Sequence, residues 1–217
     1  MKRILLLLTI VLVSFSARSS HIMGGEITWE CQGNQFVFEM KVYRDCNGAS
    51  LIGNQSLDVW NHPSLSSIPM PEVARNDISP VCFDPNQVNT CADGNGANPI
   101  PGLVEEVIYR SAPITIAGTP PANGWAFTWD NCCRNGAVDN YLQPNGSAVS
   151  GAGHLLRAVM YAYTPPGNTI PNNTNPCYDN SPKFAERPAS VLCTGYPWVY
   201  NQVAEDAEFD SLVYSFD

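Results

Sequence analysis

Apolar and polar positions alternate with a period of two along much of this chain, and the clearest run lies near its centre. There Trp125, Phe127 and Trp129 are separated by Ala126 and Thr128, with Asp130 next. Three large aromatics therefore share one face of a strand. The run is entered through Pro120-Pro121-Ala122-Asn123-Gly124. The prolines hold φ near about −65°, and Asn-Gly supplies the positive φ that a tight turn needs. It leaves through Asn131-Cys132-Cys133-Arg134 into a second Asn-Gly turn at Asn135-Gly136.

The same period recurs elsewhere. Gly24 to Cys31 and Gln35 to Arg44 predict a hairpin about Gly33-Asn34, with Ile27, Trp29 and Cys31 on one face of the first strand and Phe36, Phe38, Met40 and Val42 on one face of the second. A tight turn places Cys31 opposite about residue 36. From Gly48 to Pro101 the prolines recur too often for a helix, and only Leu57, Val59 and Trp60 predict a short strand. Leu103 to Ile116 predicts one strand or two, ending at Pro113, with Val104, Val107 and Tyr109 inward. Gly153 to Tyr163 carries bulk on both faces, as a strand inside a sandwich does. Thr164 to Pro176, rich in Pro and Asn, is a loop or linker. No amphipathic helix is evident. The expectation is an all-β chain: an antiparallel β-sandwich, Ig-like or jelly-roll-like, with long Pro/Asn/Gly-rich loops.

The first residues change the picture by setting a compartment. Met1-Lys2-Arg3, an apolar run from Ile4 to Val13, and small residues up to Ser20 form the pattern of a secretory signal peptide, with cleavage expected near Ser19. The run is about half of what a spanning helix needs, so membrane insertion is not expected. Losing residues 1–19 removes three of the 11 basic residues and none of the 20 acids, leaving 8 against 20. So acidic a chain offers no footprint for nucleic acid or an anionic membrane.

All eight cysteines, Cys31, Cys46, Cys82, Cys91, Cys132, Cys133, Cys177 and Cys193, follow that segment. An even count in an exported chain reads as a disulfide framework, and no Cys-x-x-Cys spacing supports zinc. Adjacent Cys132 and Cys133 face opposite ways and are expected to bond different partners, a vicinal disulfide between them being the rarer alternative. Cys31 and Cys46 lie roughly 30 Å apart along the hairpin, so they do not bond each other and are candidate partners for that pair. A local Cys82–Cys91 bond would brace the proline-rich region.

The residues show no catalytic constellation. The histidines, His21, His62 and His154, are scattered, and no nucleophile elbow, phosphate loop or His-Glu-x-x-His occurs. Glu105 and Glu106 are adjacent on a strand and face apart, so they are no acid–base pair. Binding is the sharper idea. Trp29, Trp125 and Trp129 sit in alternating core patterns, which leaves Trp60 and Trp198 as candidates to stack a ligand such as a sugar ring. Asp206, Glu208 and Asp210 stand at alternate positions and are candidate calcium ligands, with a solvated acidic turn as the plain alternative.

Several spaced motifs carry a resemblance. They are His21-Ile22-Met23-Gly24-Gly25-Glu26-Ile27-Thr28-Trp29, Tyr43-Arg44-Asp45-Cys46-Asn47-Gly48, the central Trp-x-Phe-x-Trp-x-x-Cys-Cys-Arg-Asn, and Asn175-Pro176-Cys177 followed by a Cys-x-Gly. Together they resemble the N-terminal region of large secreted, gliding-motility-associated surface proteins of Bacteroidetes, which carry PKD- and Ig-like modules and leave by type IX secretion. Ala204, Asp206, Asp210, Leu212, Tyr214 and Ser215 are similar to the Ala-x-Asp-x-Asp-Gly-Asp-x-Leu-x-Tyr-Ser motif of bacterial cadherin-like modules, with Phe209 in place of its glycine. The organisation expected is a signal peptide at 1–19, a β-sandwich at 20–178 and the opening strands of a second module at 179–217. The resemblance implies a secreted or cell-surface, non-catalytic, adhesin-like part of a longer multidomain chain, with surface glycans or other surface proteins as partners. The alternative is a carbohydrate-binding module or a secreted glycan-acting enzyme.

Overall fold

The structure, a computed structural model, describes residues 22–51, 53–79, 90–94, 102–132, 134, 153–164, 167, 169, 179–187, 197, 199, 201 and 203–215. The hairpin forms as its alternation predicts. Strands β1 (Ile22–Gln32) and β2 (Gln35–Asp45) pair antiparallel with Cys31 opposite Phe36 and Trp29 opposite Phe38. Gly33 and Asn34, both at positive φ, make the turn.

Beyond the hairpin the chain alternates between two sheets. β3 (Gln55–Trp60) and β4 (Ser67–Met70) form a second hairpin, and β5 (Glu72–Asp77) returns to the first sheet. A single helical turn, α1 (Cys91–Gly94), precedes β6 (Val104–Arg110). β7 (Trp125–Cys132) and β8 (Gly153–Met160) complete the second sheet. The orders are β1-β2-β6-β5 and β4-β3-β7-β8, every pair antiparallel. This is an all-β sandwich. Among the described residues no helix is long and apolar enough to cross a membrane.

The core lies between the sheets. Trp29, Phe38 and Phe127 meet in tilted contacts, with Phe38 and Phe127 centroids 4.5 Å apart. Met40, Val42, Val107, Tyr109, Leu57, Ile68, Trp125 and Met160 surround them. Burying such side chains is the main force holding the two layers together. In β6 the inward parity belongs to Glu105, Val107 and Tyr109; Val104, expected among them, has the opposite parity. Glu105 is tolerated inside because it accepts from Arg44 Nε and Arg75 Nη1, each at 2.6 Å. Glu106, one residue on, faces away and pairs with Arg187.

β4 and β5 lie in the region expected to hold one short strand. Their prolines are compatible with strands because of where they stand. Pro69 is in β4, an edge strand whose free side needs no donor, and Pro71 marks the corner where the chain changes sheets.

Cys46 is bonded to Cys91, with Cα atoms 5.1 Å apart. This corrects both pairings considered for these residues, Cys46 with Cys132 or Cys133 and Cys91 with Cys82. The cause is tertiary. Asp77, at the end of β5, accepts the Cys91 N–H at 2.6 Å, and the Cys46 N–H donates to Leu103 O at 3.0 Å. The ends of β2 and β5 and the approach to β6 therefore bring the two sulfurs together. Cys31 and Cys132 are disulfide-bonded as well, though not to Cys46 or Cys91. Cys82, Cys133, Cys177 and Cys193 lie outside the described residues, as do residues 1–19 and most of the 164–176 loop.

The residues from Asp179 on, expected to open a second module, are bonded to the first sheet. The Trp29 N–H donates to Ser181 Oγ at 2.7 Å, the Ser181 N–H to Trp29 O at 3.0 Å, and the Cys31 N–H to Asn180 Oδ1 at 2.6 Å. These bonds occupy the open edge of β1. The chain then crosses the outer face of that sheet as β9 (Lys183–Phe184), paired with β10 (Ala204–Glu205), and Arg187 grips Glu106 with two bonds of 3.1 and 3.0 Å.

Candidate functional site

One outer face is crossed by this C-terminal ribbon, and the other, belonging to the second sheet, carries the candidate site. Its composition follows from parity. On β3, Leu57 and Val59 point inward, so Ser56, Asp58 and Trp60 point out. On β7, Trp125, Phe127 and Trp129 fill the core and leave Ala126, Thr128 and Asp130 outside. On β8, Leu155, Arg157 and Val159 share the outer face. Register aligns them into rows: Trp60 with Ala126 and Val159, Asp58 with Thr128 and Arg157, and Asp130 with Leu155.

Trp60 is the anchor of this face. Its indole Nε1–H donates to Thr128 Oγ1 at 2.8 Å, which draws the ring across the neighbouring strand. Ala126 faces outward yet is buried, as its small side chain would be beneath Trp60 and Val159. The indole remains 57% exposed. A tryptophan fixed by its only donor and open to solvent is a pre-formed apolar platform.

The backbone after Trp60 is locked. Asn61 ends β3 at a φ of 68°, a left-handed conformation that asparagine tolerates, and its Nδ2 donates to Gly124 O at 3.0 Å. Gly124 itself has a φ of 72°, and a Cβ there would collide with Val159 and approach Met160 O to 3.0 Å. His62 Nδ1 accepts the N–H groups of Ser64 and Leu65, its Nε2 lies 3.1 Å from Ala117 O, and its ring packs on Trp125 at 4.7 Å. That histidine fastens the loop after Trp60 and has no nitrogen to spare for acid–base work.

Around the platform stand Asp58, Asp130 and Arg157, all exposed. Among the described residues none of the three side chains finds a hydrogen-bond or ion-pair partner. Beside them Asn54, Gln55, Ser56, Asp58, Trp129 and Asp130 line a cavity of about 280 Å³, in which the Trp129 Nε1–H donates to Gln55 Oε1 at 3.1 Å. The face thus offers one flat aromatic surface, two unengaged carboxylates and an unengaged guanidinium. Asp58, Thr128 and Arg157 were not singled out from sequence. Their signal is the outward parity of strands whose inward residues were legible, but cross-strand register is needed to join them.

The other candidates lie apart from this face. Trp198 is outside the described residues. Asp206 Oδ1 accepts the N–H groups of Glu208 and Asp210, at 3.0 and 2.9 Å, and Glu208 accepts from Asn180. Phe209, in the place of the motif's glycine, adopts a φ of 64°, so the tight turn forms without it. Nearby Asp179 is pushed up to about 6, first by burial and then by Glu208, Asp210 and Asp206. Among the described residues no group of three or more His, Cys, Asp or Glu side chains is arranged to hold a metal ion. His154 has its pKa lowered by burial and by Arg134, and its Nδ1 is buried without a partner. Glu105 and Glu106 occupy opposite faces in separate ion pairs. Comparison with protein-family models, curated proteins and solved structures finds no match to the chain.

Proposed function

We propose that the chain is a non-catalytic extracellular module that works by presenting the open face of its second sheet to surface glycans or surface proteins, as part of a larger adhesin-like chain. The observation that carries the reading is the asymmetry of the sandwich. One outer face is crossed by the C-terminal ribbon, and the other displays a clamped, open indole among unengaged polar side chains. Bonded cysteines favour an oxidising compartment, and the signal-like N-terminus agrees with it. The resemblance to gliding-associated surface proteins supports a place for such a module at the bacterial cell surface. The most obvious acid–base candidates, His62 and the Glu105–Glu106 pair, are engaged in structural bonds, which favours display over turnover.

Beads carrying the exported, oxidised chain test this on polysaccharide-coated and protein-coated surfaces, with the supernatant assayed for new reducing ends. Retention of the beads with no new reducing ends is the expected result. Release of soluble sugar by the chain, or no retention on any surface, would overturn it.

A further inference from the structure

We propose that the open face of the second sheet is a site for a neutral oligosaccharide, with one pyranose ring stacked on Trp60 and the hydroxyls of that ring and its neighbours held by Asp58, Asp130 and Arg157. The inference rests on reading the chain as a display module, and it names the ligand class and the residues. A pyranose presents C–H groups on one face and hydroxyls around its rim. An exposed indole matches the first, and groups able to accept and donate paired hydrogen bonds match the second. Trp60 supplies the flat surface already immobilised by Thr128, so little side-chain freedom is lost on binding. Asp58 is two residues along β3 from Trp60, about 7 Å; Arg157 lies two strands across and two residues along, about 12 Å, and Asp130 one strand across and four residues along, about 14 Å. Two or three linked sugar rings span those distances.

The unengaged state of the polar groups is the second argument. Elsewhere the described carboxylates and guanidiniums of the two sheets largely pair: Glu105 with Arg44 and Arg75, Glu106 with Arg187, Lys41 with Glu26, Arg110 with Glu30. On this face Asp58, Asp130 and Arg157 remain available for hydroxyls. The cavity beside Asp58 and Asp130 adds the amides of Asn54 and Gln55 to its lining and is large enough for one sugar ring.

Charge decides the type of glycan. Two carboxylates share the face with the indole against one guanidinium, and the chain carries a formal charge of −9. Uronic-acid and sulfated polymers are repelled by such a surface, whereas neutral hexose polymers are not. A protein partner would need a larger apolar patch than one tryptophan with Leu155 and Tyr161 at its borders.

The test is a glycan array with the intact oxidised chain, followed by tryptophan-fluorescence titration of the best neutral oligosaccharide. The expected results are binding to neutral but not acidic glycans and a shift in emission on saturation. The shift is lost in Trp60→Phe. Affinity falls about tenfold or more in Trp60→Ala, whereas Val73→Ala, exposed on β5 of the other sheet, leaves it unchanged. Asp58→Asn and Arg157→Gln weaken binding severalfold without moving the melting temperature, which separates lost contacts from lost fold. Absence of glycan binding, preference for acidic glycans, or binding unaffected by Trp60→Ala would overturn the inference. Beads that still adhere to a protein-coated surface in those cases would leave the display reading standing.

Discussion

Two tryptophans and one tyrosine in this core bury a polar tip without satisfying it. Tyr109 is fully buried, its hydroxyl has no partner, and burial first, then the charge of Glu72, pushes its pKa up to about 12. Trp29 Nε1 and Trp125 Nε1 are equally without acceptors. A buried, unmatched donor costs free energy that its phenyl counterpart does not. Tyr109→Phe should therefore leave stability unchanged or raise it by up to about 1 kcal/mol in a denaturant melt. A loss of more than that would mean the hydroxyl has a partner the present geometry does not supply. Trp60 is the reverse case. Its donor is satisfied and its ring is open, and that contrast separates a core tryptophan from a presenting one.

At the scale of elements, the strands with clean alternation were legible and those without it were not. Trp125, Phe127 and Trp129 announced β7, and the hairpin turn at Gly33-Asn34 fixed a register in which Cys31 meets Phe36. β4 and β5 were hidden because Pro69 and Pro71 read as breakers, although at an edge and a corner they cost no ladder bond. The Cys46–Cys91 bond was illegible for a different reason. The two residues are 45 apart in sequence, and only the approach of β5 and β6 to β2 brings them together. The C-terminal ribbon shows a further effect that spacing alone could not reveal, since Asp179 faces Glu208, Asp210 and Asp206 in the fold. Its folded pKa of about 6 lies above the ordinary value of 3.8. The folded state therefore holds a proton that the unfolded chain releases, and Asp179 costs nothing below about pH 4 and its full penalty above about pH 6. Asp179→Asn should stabilise the chain by about 1–2 kcal/mol at pH 7.5, below the full linkage value because the carboxyl keeps part of its hydration, and the gain should vanish near pH 4. The lowered pKa of His154 acts in the opposite direction, removing stability as pH falls through the ordinary histidine range, but it is common to both proteins and cancels in their difference. A gain independent of pH would count against this placement of Asp179.

On the scale of the whole molecule, a two-layer core and covalent bracing hold the second sheet's outer face. The sandwich and its open indole follow from strand parity, whereas the cross-strand companions of Trp60 follow only from register, which sequence spacing does not carry. The proposed export and binding role depend on the cysteines being oxidised, because a thiol-bearing chain would fit another compartment and would lose the brace between β2 and the approach to β6. The most direct measurement is non-reducing peptide mapping by mass spectrometry of the exported chain, denatured in alkylating reagent. The expected result is no alkylated cysteine among the eight and a linked pair of peptides containing Cys46 and Cys91. Alkylated thiols at Cys46 or Cys91, or a metal released from them on denaturation, would contradict it.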